Sequence, residues 1–243
     1  MIASLQKKRS TIPKASSICQ NSLMNSEEQK KQAALKSLEF IADDCVLGVG
    51  TGSTVNHLIA ALPSVKNKIE AVTSSSKAST QLLEENGFRV DDLSSVGSPD
   101  LYIDGADEIT EHFHMIKGGG GALTREKIIA EASRMFVCII DDSKLVDLLG
   151  KFPLPVEVIP MAKSLVAREL TKLGGLPELR HDFVTDNGNL ILDVHNLKIL
   201  DPVDLENHIN NIPGVVTNGI FAQRSADVMI IGNESGPETK IKN

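Results

Sequence analysis

CVLGVGTGSTVNHLIAAL, residues 45–62, decides how the rest of the chain is read. CVLGVG is an apolar run of strand length. Val55, Leu58, Ile59 and Leu62 then recur at i, i+3, i+4 and i+7, the spacing of one helix face. Between strand and helix lies GVGTGST (48–54). Its glycines let backbone N–H groups approach a ligand, the helix N-terminus adds partial positive charge, and Thr51, Ser53 and Thr54 offer hydroxyls. Such a turn suits a phosphate, with Thr51, Gly52, Ser53 and Thr54 as candidate contacts. A tight turn without a ligand is the plainer alternative. The dinucleotide fingerprint fails, because Ser53 stands where its third glycine belongs and TSSS, not an acid, closes the next strand. The Walker pattern fails as well, since no Lys-Ser/Thr follows at the required offset. A small phosphorylated molecule fits better than a nucleotide.

Outward from this stretch the elements alternate. Ser26-Glu27-Glu28-Gln29 reads as a capping box opening a helix with Ala34, Leu38 and Ile41 on one face. IEAVTSS is a second strand, and KASTQLLEEN a helix stopped by Gly87. LYID (101–104) and MFVCII (135–140) are further strands, and SKLVDLLG a further helix. This order predicts an α/β fold with a parallel sheet and helices on both faces. Near residue 151 the pattern changes. KFPLPVEVIP carries Pro153, Pro155 and Pro160, which predict an edge strand or connector. A helix with Val166, Leu170 and Leu173 follows, ended by Gly174-Gly175. FVTDNGNLILDVH reads as a hairpin turning at Asn187-Gly188, Asp201-Pro202 opens another helix, and GVVTNGIF and DVMIIG are strands. The expected organisation is a disordered amino-terminal extension over 1–25, which lacks helical periodicity; a parallel-sheet domain over 26–150 and 225–243; and a smaller inserted α+β domain over 151–224.

The net charge of −7 and the lack of a basic stripe argue against a nucleic-acid binder, and no apolar run approaches a membrane span. Three cysteines, Cys19, Cys45 and Cys138, form no CxxC and cannot all pair within the chain. A reducing cytoplasm is therefore expected. The first 25 residues are basic, Ser-rich and free of acids. That pattern fits a transit peptide, a disordered tail, or a start placed upstream of Met24.

Two further clusters carry chemistry. DLYIDGADEI ends a strand with Asp104, Asp107 and Glu108, where open α/β sheets bind ligands, and Gly105 lets the chain turn sharply. MIKGGGGALTREK (115–127) sets Lys117 and the amides of Gly118 to Gly121 before a helix that carries Glu126. The cation and amides suit a developing oxyanion, and Glu126 suits a general base. Carboxylates, an ammonium and a phosphate grip are what proton abstraction beside a sugar carbonyl requires. Lys144, after MFVCII, can pair a phosphate as a point charge. Each motif alone also reads as an ordinary turn, flexible loop or solvated lysine. His112 and His114 form a weak metal signal on a polar loop, and Cys138 in an apolar strand reads as core.

GVGTGST, YIDGADEI, MIKGGGGALTREK, DDSK and GKFPLPVEVIPMA resemble, in the same order, the motifs of type A ribose-5-phosphate isomerases. VTDNGNLILDV and IPGVVTNGIFA extend the likeness, which covers about residues 26–232. The resemblance implies a Rossmann-like domain with a ferredoxin-like insert, a homodimer or homotetramer, no metal and no cofactor. It implies interconversion of ribose 5-phosphate and ribulose 5-phosphate in the non-oxidative pentose phosphate pathway. Carried over by motif, Glu126 is the proton-transferring base, while Asp104, Asp107 and Lys117 open the ring and manage protons on the two sugar oxygens. Substrate contacts fall to Thr51, Gly52, Ser53, Thr54, Gly105, Ala106, Gly118, Gly119, Gly120 and Lys144. Residues 1–23 fall outside the family pattern. An amino-sugar phosphate isomerase/deaminase would need its own acid and histidine arrangement. A non-catalytic sugar-phosphate sensor should lack the base or carry a helix-turn-helix.

Overall fold

A computed structural model describes residues 16–242. In chain order its elements are α1 (Ser16–Ser37), β1 (Cys45–Val49), α2 (Ser53–Ala61), β2 (Ile69–Ser74), α3 (Lys77–Glu85), α4 (Leu93–Val96), β3 (Leu101–Asp104), β4 (Glu108–Ile109), β5 (Met115–Ile116), α5 (Leu123–Ala132), β6 (Met135–Asp141), β7 (Leu154–Val158), α6 (Lys163–Lys172), β8 (Leu176–Leu179), β9 (Leu190–His195), α7 (Pro202–Asn210), β10 (Val215–Asn218), β11 (Ile220–Phe221), β12 (Val228–Gly232) and β13 (Glu238–Ile241). No helix among the described residues is long and apolar enough to cross a membrane.

The main sheet has the strand order β13-β12-β6-β3-β1-β2. All its pairings are parallel except that of the edge strand β13. Its strands are nearly continuous apolar runs because both faces are covered. On one face Leu47, Val49 and Ile103 pack with Ala33 and Ala34 of α1 and Val55, Leu58 and Ile59 of α2. On the other, Tyr102, Phe136, Cys138 and Met229 pack with Ile129 and Ala130 of α5. From β1 the chain goes to β2 on one side, while β3 lies on the other, so the strand order reverses between β1 and β3. A crevice opens at the carboxyl ends of such a pair. Here those ends carry the loop from Gly50 and the side chain of Asp104.

A second, antiparallel sheet of order β10-β7-β9-β8 buries Val156, Val158, Leu192 and Val194 against Val166 and Leu170 of α6 and Ile209 of α7. A small sheet of order β11-β5-β4 links the two. It draws the backbone of Gly219 onto Lys117, whose N–H donates to the Gly219 carbonyl at 2.9 Å.

Four expectations need correction. α1 begins at Ser16, ten residues before the expected cap and inside the stretch assigned to the extension. No glycine or proline stands between Ser16 and Ser37 to stop the helix. The expected disorder of residues 1–15 lies outside the described residues. β7 is an interior strand, not an edge or connector. Pro153 and Pro160 fall outside it. The Pro155 carbonyl accepts from Gly219 N–H at 2.8 Å, so the side where its own donor is missing lies beyond the end of β10, and no ladder bond is lost. SKLVDLLG is only a 3-10 turn over Asp142–Lys144. Beyond it Leu145 bridges to Ile109 and Val146 N–H donates to the Ile109 carbonyl, so pairing overrides a short helical pattern. Finally, β9 pairs with β8 and β7, not with FVT. Thr185 and Gly188 instead close a local turn at Asn189 and Thr185.

Candidate active site

β1 delivers the glycine loop to the crevice. Gly50 must be glycine, since a Cβ there would overlap the Asp104 carboxyl group. Gly52, at φ 130°, caps α2 in a conformation that side-chain-bearing residues rarely adopt. The first-turn amides of α2 have no intrahelical partner, and this turn lines the cleft. The Thr51 hydroxyl does not join them. It bonds Ser76 at 2.8 Å and Ser75 at 2.9 Å, with Ser79 at 3.2 Å. Thr51 borders the cleft through its methyl group, 3.7 Å from where a Cβ of Gly120 would sit. The expected hydroxyl grip is therefore left to Ser53 and Thr54. The TSSS segment that excluded a ribose acid instead builds the floor under this loop.

β3 delivers Asp104, which is fully buried. Its Oδ1 accepts from Thr51 N–H at 3.0 Å and Gly105 N–H at 2.7 Å. Its Oδ2 accepts from the Tyr102 hydroxyl and from Lys117 Nζ at 2.8 Å. With donors on both oxygens, Asp104 acts as an acceptor. Burial, then the Asp104 charge, raises the Tyr102 hydroxyl well above its ordinary value, so it stays a donor. Tyr102 and Gly50 were missed in the sequence. Alternate strand residues share a face, so the single tyrosine two positions before Asp104 was a usable signal.

Lys117 is 2 % exposed and Glu126, from the first turn of α5, 3 %. Burial alone would push the Lys117 ammonium down. The Asp104 and Glu126 carboxylates outweigh it and hold the group above the ordinary lysine range. Glu126 Oε2 lies 3.4 Å from Lys117 Nζ, an ion-pair distance without hydrogen-bond alignment, and finds no hydrogen-bond partner. Its carboxyl is pushed up to about 8. Burial is the main cause, Lys117 opposes it, and the Asp104 and Asp107 charges add to it. Asp107 is half-buried, and its Oδ2 accepts from Gly119 N–H at 2.7 Å.

These groups meet in one cleft of ≈ 110 Å³. Thr51, Gly52, Ser53 and Thr54 line one side, Gly105, Ala106 and Asp107 another, and Lys117 to Gly120 with Glu126 a third. Lys144 stands at its border. Of the expected site residues only Asp104 does not reach the surface of the cleft; it lies beneath, bonded to Lys117. The glycine stretch offers fewer amides than four. Gly121 N–H closes a turn onto the Gly118 carbonyl at 2.9 Å, and that of Gly119 is held by Asp107. His112 and His114 do not line the cleft. Among the described residues no group of three His, Cys, Asp or Glu side chains is placed to hold a metal. Burial pushes the Cys138 thiol up to about 12, as suits a core residue.

A sequence model of the ribose 5-phosphate isomerase A (phosphoriboisomerase A) family matches residues 71–236. Among solved structures, the ribose 5-phosphate isomerase A of Neisseria gonorrhoeae is 49 % identical, with a TM-score of 0.88 over 90 % of this chain and 98 % of that one. A D-ribose-5-phosphate isomerase in complex with phospho-erythronic acid is 40 % identical, with a TM-score of 0.86 over 89 % and 99 %. The ribose 5-phosphate isomerase A of Methanocaldococcus jannaschii is 38 % identical, with a TM-score of 0.84 over 89 % and 99 %. The family model covers more than half of the chain, and these enzymes match most of it along nearly their whole length: the chain belongs to the ribose 5-phosphate isomerase A family.

Proposed function

We propose that the cleft interconverts D-ribose 5-phosphate and D-ribulose 5-phosphate through an enediolate. The observation that carries this reading is Glu126: a buried carboxyl with an unpartnered oxygen, raised to about 8, at the cleft surface beside an ammonium. A general base works best with a value near the operating pH.

The phosphate sits at the first turn of α2, held by its amides, Ser53, Thr54 and Lys144. This leaves the C1–C2 end of the sugar at Glu126. Asp107 takes the proton from the anomeric hydroxyl and returns one to the ring oxygen, opening the ring. Glu126 then removes the C2 hydrogen, and the electron pair moves through C1 to O1. Lys117 and the Gly120 N–H oppose the charge developing on the oxygens. Asp107 carries the O2 proton to O1, and Glu126 returns its proton to C1, which gives the ketose. Asp104 lies beneath the cleft surface. It holds Lys117 at 2.8 Å and so fixes the ammonium. The positive partner of the enediolate is supplied by side chain and backbone, with no metal required. Phospho-erythronic acid, bound by one relative, presents a planar pair of carboxylate oxygens next to a phosphorylated chain, a fair mimic of the enediolate. By the same resemblance the enzyme serves the non-oxidative pentose phosphate pathway, in the cytoplasm, as a homo-oligomer. Light scattering on the eluting protein measures the assembly.

The test is a coupled assay on ribose 5-phosphate in heavy water, with and without prior chelation. Solvent deuterium in the product and unchanged turnover after chelation are expected. Activity lost to EDTA and restored by a divalent metal, with no solvent label, would sink the mechanism.

A further inference from the structure

Arg180 directly follows β8 of the second sheet, outside every motif used above. Its guanidinium is fixed at two points by Asp193, Nε to Oδ2 at 2.8 Å and Nη2 to Oδ1 at 2.5 Å, a planar fork that leaves little freedom. The remaining nitrogen, Nη1, donates to the carbonyls of both Gly118 and Gly119 at 3.2 Å. Next to it, Phe183 lies 5.3 Å under the guanidinium and fills the space a Cβ of Gly121 would need. The segment from Arg180 to Phe183 therefore clamps the glycine loop, and neither residue lines the cleft.

In a trans peptide the C=O and the following N–H point in opposite directions. Holding the Gly118 carbonyl toward Arg180 turns the Gly119 N–H the other way, where it meets Asp107 Oδ2 at 2.7 Å. Holding the Gly119 carbonyl likewise turns the Gly120 N–H away from Arg180; Gly120 lines the cleft, and among the described residues no hydrogen bond occupies its N–H. A cation on the carbonyl side also polarises both peptides and strengthens their N–H donors. The Gly118–Gly119 peptide is also held by Gly121 N–H and Asp107, but the Gly119 carbonyl is held by Arg180, and without it the Gly119–Gly120 peptide, having no side chains, is freer to flip.

We infer that Arg180 is a positioning residue for the reaction: acting through two glycine peptides, it aims the Gly120 N–H at the substrate oxygens and holds Asp107 in place. The inference rests on the isomerase reading and predicts a separation. The phosphate grip lies on α2 and at Lys144, away from Arg180. Loss of the clamp should therefore weaken transition-state contacts and spare ground-state binding.

The test compares Arg180→Ala, Arg180→Lys and Asp193→Asn with the parent, with melting temperature as the check on folding. For Arg180→Ala we expect kcat to fall about 10–100-fold, less than loss of a whole oxyanion donor. KM should stay within about threefold, because it reports substrate binding that the two states share. Calorimetry should show phospho-erythronic acid binding weakened by about the same factor as kcat/KM, with inorganic phosphate binding unchanged. Added guanidinium at about 10 mM should restore part of kcat, since the side chain is partly open to solvent. Asp193→Asn, which keeps the guanidinium but frees it, should move the same quantities less far. Retained kcat within about threefold in Arg180→Ala, or equal losses for phosphate and phospho-erythronic acid, would overturn the inference. If Arg180→Ala does not fold, Arg180→Lys and Asp193→Asn decide by the same split. A parent chain inactive on ribose 5-phosphate would sink the isomerase reading, and the two calorimetric titrations would then decide the clamp alone.

Discussion

Replacing Glu126 by Gln should abolish turnover and stabilise the protein in the same step. The carboxyl is raised from 4.5 to about 8 by burial, against the pull of Lys117 and with help from Asp104 and Asp107. The unfolded chain releases this proton near pH 4.5, whereas the folded chain keeps it to about pH 8. Between those values the folded state binds more protons, so the group's contribution to stability falls as pH rises, and the whole penalty is present above about pH 8. A rise of about 3.5 units at 1.36 kcal/mol each sets a ceiling of about 5 kcal/mol. Water entering the cleft relieves part of it, leaving a gain of about 1–3 kcal/mol for Glu126→Gln. At about 2–4 °C per kcal/mol for a chain of this size, calorimetry resolves it. Melting curves of parent and variant should coincide near pH 5 and diverge until about pH 8, with a constant gap beyond. Turnover should fall at least 10²–10⁴-fold, while the parent's kcat/KM climbs to a plateau above about pH 8. Parallel pH–stability curves for the two proteins, or turnover within a few-fold of the parent, would refute the placement of a raised base at Glu126.

Lys144→Ala should raise KM for ribose 5-phosphate by the worth of one charge-assisted contact, about 1.5–3 kcal/mol or roughly 10–150-fold. Unphosphorylated ribose should lose little more than it already lacks, and equal losses on the two sugars would remove Lys144 from the phosphate. Gly50→Ala should cost both turnover and melting temperature, because its Cβ meets the Asp104 carboxyl group and either the loop or that carboxylate must move. A Gly50→Ala enzyme with parental kcat would mean that Asp104 need not sit where it does.

The parallel sheet was legible because its signal is local. CVLGVG, LYID and MFVCII are apolar runs bounded by glycine or charge, and α2 carries a clean i, i+3, i+4, i+7 stripe that the structure buries. Most of the cleft lining was legible for the same reason, since each wall is one contiguous motif at the end of one strand. What escaped were partners brought from far along the chain. Glu157, fully buried in β7, accepts from Thr124 of α5 and from Thr185, Asn187 and Asn189, and so ties the helix that bears Glu126 to the turn at Asn187-Gly188. Arg180 meets the glycine loop across 61 residues. No periodicity records such contacts. SKLVDLLG failed in the opposite sense: its helical pattern is real, but its bridge to Ile109 won.

In the proposed mechanism, the choice of Glu126 over Asp104 as the proton carrier follows from how one ammonium is shared. Lys117 lies 2.8 Å from Asp104 and 3.4 Å from Glu126, both buried. A single positive charge compensates two carboxylates poorly in a medium of low dielectric, so the less well solvated of them is the one raised. Asp104 receives two backbone N–H groups, a tyrosine hydroxyl and the nearer approach of the ammonium, while Glu126 has an oxygen with no hydrogen bond at all. Below about pH 8 the proton therefore goes to Glu126, and above it the carboxylate is ionised and able to act as a base. The oxygen left unsatisfied is the one able to take a proton from carbon. Supplying that oxygen with a donor would favour its ionised form and strengthen the fold, and would by the same amount weaken the base. In the proposed mechanism the orphaned buried atom and the basicity of Glu126 are one feature, and its cost in stability is the free energy by which the group remains able to accept a proton near neutral pH.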